Sequence, residues 1–229
     1  MSIAIRRAAW IAAPIALVGT FLLTAPASGP ASAARHRLSP PRIRDDRIPY
    51  GQSRKHEMAG YSKRHYGHHT WRLRHTKLIV IHFTDGPTWR SARSVFASNE
   101  PSLGELPGVC SHYIVDKRGH IHEIVPPRIR CRHTIGLNYT AIGVEMVQVA
   151  RHGSHWADQR ILHRKRQIRA ALHLVNYLRL KNGLRVKDVI GHAMANSSPY
   201  FKDLEGWRND HTDWLRRDVR DFRHRLRRL

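Results

Sequence analysis

The chain has 229 residues, 41% of them hydrophobic, and carries 40 Lys and Arg against 17 Asp and Glu, a formal net charge of +23. That length and apolar content fit one domain of ordinary size with a sizeable core, rather than several. The charge favours an anionic polymer as a partner, but it is scattered over arginines along the whole chain. No groove-reading element accompanies it, so nucleic acid is not the expected partner.

Arg6 and Arg7 precede the apolar run Ala8–Ala25, and Ala31-Ser32-Ala33 offers a small-x-small exit. This order predicts a secretory signal peptide over residues 1–33 and a secreted, extracellular or cell-wall-associated protein. The alternative is a retained anchor, since the run is about the minimum spanning length. Pro14, Gly19 and the small residues after Thr24 favour cleavage and no stable membrane anchor afterwards. Cleavage would remove only Arg6 and Arg7 from the count, 23 − 2 = +21. Outside the cell, the available polyanions are cell-wall polymers and membrane surfaces, and wall polymers are the expected ones.

Residues 34–76 are rich in Arg, His, Pro and Gly with little apolar periodicity, which predicts a basic linker or loosely packed N-terminal arm. His65, His68, His69 and His75 suggest a metal cluster, but no Cys or carboxylate stands among them at ligand spacing, so solvated histidines are expected. Tyr61, Tyr66 and Trp71 would pack the end of the arm against the domain.

From Lys77 onward the pattern becomes regular. Leu78-Ile79-Val80-Ile81 is a β-branched apolar run that reads as a strand buried on both faces, with His82 at its end and Asp85-Gly86-Pro87 behind it. Residues 91–99 read as a helix and 101–108 as a loop. A hairpin follows, with strands over 110–116 and 120–125 around the turn Lys117-Arg118-Gly119. Residues 141–148 form another strand, apolar except for Glu145. Ile161, Leu162, Ile168, Ala171, Leu172, Val175 and Leu178 are spaced for one helix over 159–182, closed by Asn182-Gly183. A short strand over 186–190 ends in Gly191-His192, and 213–229 reads as a basic terminal helix. The alternation predicts an α/β fold with a mixed central β-sheet flanked by helices.

His82 and His192 each follow a short apolar strand and could converge at one edge of the sheet. A catalytic zinc site uses three protein ligands and leaves one position for water. A third ligand would come from the loop after His192, where Asp203, Glu205, Asp210, His211 and Asp213 stand. Glu145 is a carboxylate inside a strand written for burial, which needs a partner or a task. An arginine ion pair and a catalytic role are equal readings of it.

The chain resembles the zinc-dependent N-acetylmuramoyl-L-alanine amidases of the type-2 family, relatives of peptidoglycan recognition proteins and phage amidase lysozymes. The resemblance is carried, in the family's order, by Ile79-Val80-Ile81-His82-Phe83-Thr84, by residues 111–119, by Arg132-His133-Thr134-Ile135-Gly136-Leu137-Asn138, by Ala141-Ile142-Gly143-Val144-Glu145, by Val189-Ile190-Gly191-His192, and by His211-Thr212-Asp213-Trp214. It implies a single zinc amidase domain over 77–229 that cuts the bond between N-acetylmuramic acid and the L-alanine of the stem peptide in peptidoglycan. It implies His82, His192 and Asp213 as zinc ligands, with Asp210 competing for the third place. It implies Glu145 as the catalytic carboxylate and His211 standing where the family has a catalytic lysine. His133, with Asn138 close by, matches a histidine of the substrate groove. Recognition-type relatives carry a tyrosine where Ser111 stands, so the chain resembles the glutamate-using branch. A peptidoglycan-binding module without catalysis is the alternative.

Cys110 and Cys131 are the only cysteines. In an oxidising compartment an even, minimal count pairs, and an antiparallel hairpin brings the two ends together. A disulfide pinning the His133 loop is expected, against two buried free thiols or a metal role.

Overall fold

The computed structural model describes residues 40–229; the signal-peptide reading over 1–33 lies outside the described residues. Six strands form one mixed sheet. In chain order they are β1 (Ile43–Asp45), β2 (Leu78–Phe83), β3 (Tyr113–Val115), β4 (Ile121–Glu123), β5 (Ala141–Met146) and β6 (Val189–Gly191), arranged β1-β4-β3-β5-β2-β6. Only β3–β4 is antiparallel; the other neighbours run parallel. The helices are α1 (Gln52–Tyr66), α2 (Trp89–Ser98), α3 (Ser154–His163), α4 (Lys165–Lys181) and α5 (Arg216–Leu226). The sheet is thus the expected α/β mixed sheet flanked by helices.

The β2 sequence is apolar throughout because the strand is central: Leu78 to Ile81 are all buried, between β5 and β6. Residues of α3, α4 and α5 share one core with it, including Ile161, Leu172, Val175 and Phe222. A second core holds α2 through Ala92 and Phe96 against Ile114, Ile124 and Cys110. Tyr113 and Val115 of β3 belong to the first core and Ile114 to the second, as the two-residue period of a strand requires.

Residues 40–76 are not a loosely packed arm. Ile43–Asp45 pairs with β4 as the sheet edge, and α1 carries Met58, Tyr61 and Tyr66 into a core cluster of its own. The helix escaped the apolar periodicity because polar Arg54, Ser62 and His65 are buried among Met58, Ala59, Tyr61 and Tyr66. The spacing is helical; the residue types are not those of a core. Gly67 then closes α1 in the left-handed conformation at φ 79°. His65, expected to be solvated, is fully buried between Asp203 Oδ2 at 2.9 Å and Glu105 Oε2 at 3.1 Å. His68, His69 and His75 are exposed, as expected.

The single helix expected over 159–182 is two helices. Arg164 between them is extended (φ −84°, ψ 91°), its guanidinium bonded to Gln148 and Gln167. The first helix also starts earlier than expected, at Ser154. Near the C-terminus, residues 186–188 are a turn of 3-10 helix ahead of β6, and 192–197 form a second one.

Cys110 and Cys131 are joined in a disulfide, with Cα atoms 5.3 Å apart. Opening it in the Cys110→Ala/Cys131→Ala variant frees a loop of 21 residue steps and should lower stability by about 3 kcal/mol in denaturant unfolding. A second weak point is Gly191. A methyl there would stand 2.0 Å from the Trp214 carbonyl oxygen. Gly191→Ala should cost about 1–3 kcal/mol by overpacking, whereas Gly60→Ala inside α1, with only Arg64 Nη1 near at 3.6 Å, should gain up to about 1 kcal/mol. Equal effects of the two in thermal unfolding would contradict this assignment.

Candidate active site

The site grows out of sheet register. β2 and β5 run parallel with His82 beside Glu145, and β2 and β6 run parallel with Ile81 beside Gly191. Continuing one residue past Gly191 puts His192 next to His82, their Nδ1 atoms 3.0 Å apart. Parallel strands end at the same edge, so both histidines and the carboxylate leave the sheet together.

Asp213 arrives from the C-terminal loop. Its Oδ1 lies 3.0 Å from His192 Nδ1 and its Oδ2 3.3 Å from His82 Nδ1. Two devices bring it there. Ala193 N–H donates to the Asp213 carbonyl at 2.9 Å. Asp158 Oδ1 and Oδ2 accept from Trp214 N–H (3.1 Å) and Leu215 N–H (3.0 Å). Trp214 is fully buried and sits at φ +57°, a left-handed backbone that costs about 1–3 kcal/mol in a bulky residue. Asn209 closes the loop, donating to the His192 carbonyl at 3.2 Å and exchanging hydrogen bonds with Asn196.

A hydrogen-bond chain behind His82 accommodates a tautomer with its proton on Nε2. His133 Nε2–H donates to the Ala141 carbonyl at 3.3 Å, so His133 Nδ1 carries the lone pair. That atom lies 2.8 Å from Thr134 Oγ1 and 3.1 Å from His82 Nε2, so either can donate to it, and a proton on His82 Nε2 leaves the His82 Nδ1 lone pair facing His192 and Asp213. Gly143 makes room for the ring, since a methyl there would meet His133 Cγ at 2.8 Å. Asn138 is spent inward: its Oδ1 accepts from His133 N–H at 2.8 Å and Thr134 N–H at 2.7 Å.

Burial sets the charges. It pushes His82 down to about 4, with the neighbouring His192 acting the same way, so the ring is neutral at pH 7. His133 is lowered further by burial and by His82. Burial pushes Asp213 up, but the two adjacent imidazoles outweigh it and hold the carboxyl well below the usual range. Glu145 goes the other way, raised well above the ordinary carboxylate value by burial and then by Asp213. Its Oε2 is buried with no protein partner.

His82, His192 and Asp213 each offer a ligand atom, all within 4.8 Å of one another. The two Nδ1 atoms are 3.0 Å apart, and one Asp213 oxygen lies 3.0 Å from His192 while the other lies 3.3 Å from His82, near the edge of about 3.3 Å expected for a tetrahedron around a cation held at about 2.0–2.1 Å. Lone pairs converging at such distances repel unless a cation or a proton lies among them, and Asp213 Oδ2 has no hydrogen bond of its own. Two imidazoles and a carboxylate are the donor set of a zinc-class divalent ion.

A groove of about 340 Å³ opens over these residues, lined also by Tyr61, Phe96, Leu103, Arg132 and Thr134. His133, Asn138, Glu145 and His211 all line it. His211 is at the rim, its side chain 63% exposed, stacked on His192 at 4.4 Å between ring centroids and 3.9 Å from Asp213 Oδ1. Asp210 lines the groove too but is exposed and outside the three-ligand cluster. Sequence reading missed Asp158, Asn209 and Gly143. Asp158 had a signal of the same kind as Glu145, one carboxylate on the otherwise apolar face of Ala157, Ile161 and Leu162.

Residues 72–213 match the family described as N-acetylmuramoyl-L-alanine amidase, more than half of the chain. No curated protein matches. Among solved structures, the catalytic domain of XlyA is similar with a TM-score of 0.50 and 14% identity, over 81% of this chain and 99% of that one. The endolysin N-acetylmuramoyl-L-alanine amidase LysCS from Clostridium intestinale URNW follows at 0.47 and 16%, over 83% and 98%. The complex of the N-acetylmuramyl-L-alanine amidase AmiD from E. coli with the substrate anhydro-N-acetylmuramic acid-L-Ala-D-gamma-Glu-L-Lys gives 0.41 and 21%, over 52% and 48%.

The geometry separates the two aspartates experimentally. Asp213→Ala should abolish tight binding of one divalent ion per chain, measured by competition with a chromogenic chelator, while Asp210→Ala should leave it within about twofold. His133→Leu should weaken it by about 10–100-fold, the usual worth of a residue that orients a ligand. His133→Asn, whose amide oxygen can still accept from His82, should recover part of the loss.

Proposed function

The chain belongs to the N-acetylmuramoyl-L-alanine amidase family, and from that membership we propose that it hydrolyses the amide between the lactyl carbonyl of N-acetylmuramic acid and the L-alanine of the stem peptide in peptidoglycan, using zinc held by His82, His192 and Asp213. The observation that carries the reading is the pairing of a three-donor cluster with a separate, protonation-competent carboxylate, Glu145, one strand away on the same register.

Bound there, zinc would supply a Lewis acid that polarises the scissile carbonyl and brings the pKa of a bound water toward neutral. The protein's own groups do the rest. His82, held neutral by burial, offers its Nδ1 toward the ion, and His192 Nδ1 faces the same point. Asp213 supplies the single negative charge among the ligands. Glu145 takes the proton from the attacking water and hands it to the departing nitrogen, so the amine leaves neutral. Its raised affinity for protons in a dry site suits both halves of that transfer. His211, at the rim, donates toward the oxygen that becomes negative as the carbonyl turns tetrahedral. The Asn138 clamp on His133 and Thr134 keeps the groove floor rigid.

Secretion fits this reading, because the substrate lies outside the cytoplasm; the leader-like residues 1–33 support it at the level of sequence. Among the described residues no helix is long and apolar enough to cross a membrane.

Glu145→Gln keeps the shape and removes the base. Hydrolysis of purified wall, followed by turbidity and by release of new amino termini, should fall by about 10²–10⁴-fold with zinc content unchanged. Near-normal turnover in that variant would make Glu145 structural and move the base elsewhere. Binding of wall without release of amino termini by the unmodified protein would instead favour the non-catalytic recognition module.

A further inference from the structure

Among the described residues three arginines are buried, and in two of them the terminal guanidinium nitrogens donate to three backbone carbonyls each, although Arg54 Nε has no partner. Arg132 donates to the carbonyls of Glu105, Pro107 and Ser102 at 2.6, 2.8 and 3.0 Å. Arg54 donates to those of Phe96, Gly108 and Val109 at 2.7, 3.3 and 3.3 Å. Arg130 differs. It is 6% exposed, its one side-chain contact is a long 3.4 Å approach to the Thr70 carbonyl, and its Nε has no partner. A buried cation without a counter-charge is costly.

Arg130 lines a cavity of about 790 Å³ whose other walls include Arg72, Arg74, Lys77, Tyr139 and Tyr200. The frame is rigid: Arg72 pairs with Ile129, Arg130 N–H donates to the Trp71 carbonyl at 2.9 Å, and Tyr139 Oη–H donates to the Tyr200 carbonyl at 2.6 Å. No carboxylate lines the cavity, and none of the four cations is in an ion pair among the described residues. His68, His69 and His75, which suggested a metal cluster in the sequence, open onto this same cavity. They carry no acidic partner that would make a cation site of it.

We propose that this cavity binds successive phosphates of an anionic cell-wall polymer, a phosphodiester-linked polyol, and holds the enzyme on the wall while the groove works. Guanidinium forks match phosphate oxygens in pairs, and the cavity is large enough for more than one phosphate. The choice of a wall polymer over nucleic acid rests on the peptidoglycan reading above, since both would present phosphodiesters. The site itself rests on Arg130 and its neighbours alone.

The test uses soluble poly(glycerol phosphate), a single-stranded oligodeoxynucleotide and polyglutamate as probes, with binding read by calorimetry at about 0.15 M salt. None of these contains peptidoglycan, so the outcome does not depend on amidase activity. Arg130→Gln should weaken poly(glycerol phosphate) binding by about tenfold or more. It should raise the thermal midpoint, because an unpaired buried charge is removed; an arginine kept for structure would lower it. Arg74→Gln, exposed and harmless to folding, should weaken binding by a few-fold. The Arg220→Gln/Arg227→Gln variant, on α5 and at its C-terminal cap, removes two charges elsewhere and should change it by less than twofold. The proposal is overturned if the α5 variant loses as much as Arg130→Gln, or if neither cavity variant loses affinity. Tighter binding of the oligonucleotide would reassign the cavity to nucleic acid. Equal binding of polyglutamate would show that no phosphate site exists there. Loss of wall hydrolysis with intact polymer binding would instead count against the amidase reading and leave this one standing.

Discussion

Asp213 can reach the two strand-end histidines only if the chain behind it crosses β6 at the closest distance a polypeptide allows. The Trp214 carbonyl oxygen lies 2.0 Å from where the Cβ of residue 191 would be, too close for any side chain there. The crossing forces Trp214 to φ +57° and is held by a fully buried tryptophan ring and by both oxygens of Asp158. Backbone strain at a bulky residue persists only where the surroundings over-determine it. Here three elements do so: α3 supplies Asp158, β6 supplies Gly191, and α5 packs Phe222 edge-on against the indole at 5.4 Å. The strain is what places a carboxylate oxygen 3.0 Å from His192.

With that crossing in place, the two carboxylates of the site acquire opposite characters from one source. Asp213 is buried, which raises its carboxyl, but its contacts with His192 and His82 hold it below the usual range. Glu145 is equally buried, and burial together with the charge of Asp213 raises its affinity for a proton. Pushing two carboxylates apart in proton affinity assigns them different work. One suits a fixed anionic ligand and the other a group that takes and returns a proton. The division needs no difference in residue chemistry, since both are simple carboxyls. It comes from which neighbours the sheet register and the crossing loop supply.

What the sequence made legible follows the same line. The strand ends were readable because β2 and β5 are buried on both faces, so His82 and Glu145 stood out as polar residues in apolar runs. The disulfide was readable from cysteine count and hairpin geometry. The break at Arg164 was not, because Ile161, Leu162, Ile168 and Ala171 keep a helical spacing across it and only the side-chain bonds to Gln148 and Gln167 show why the backbone extends there. The helix α1 was invisible for a different reason. Its buried stripe of Arg54, Ser62 and His65 among Met58 and Tyr61 obeys the helical period while violating the composition expected of a core. Tertiary partners far along the chain, Asp203, Glu105 and the carbonyls near Phe96, satisfy those polar groups, and such partners are not encoded locally.

Those partners explain why the segment before the family match, which begins at residue 72, belongs to the site's architecture. Arg54 grips the carbonyls of Phe96, Gly108 and Val109, and Phe96 and Val109 line the groove. His65 bridges Glu105 and Asp203, tying the loop before the disulfide to the loop after His192. Tyr61 of the same helix stacks on His65 at 4.1 Å and lines the groove itself. Arg132, pinned next to the disulfide, holds Ser102, Glu105 and Pro107 from the opposite side and lies over the Tyr61 ring at 4.4 Å. The wall of the groove is therefore made of loops that have little apolar core of their own and are kept in shape by buried cations. A chain with a formal charge of +23 places part of that charge inside, as donors to carbonyls and carboxylates. Arg130 is the buried guanidinium left over when that use is complete.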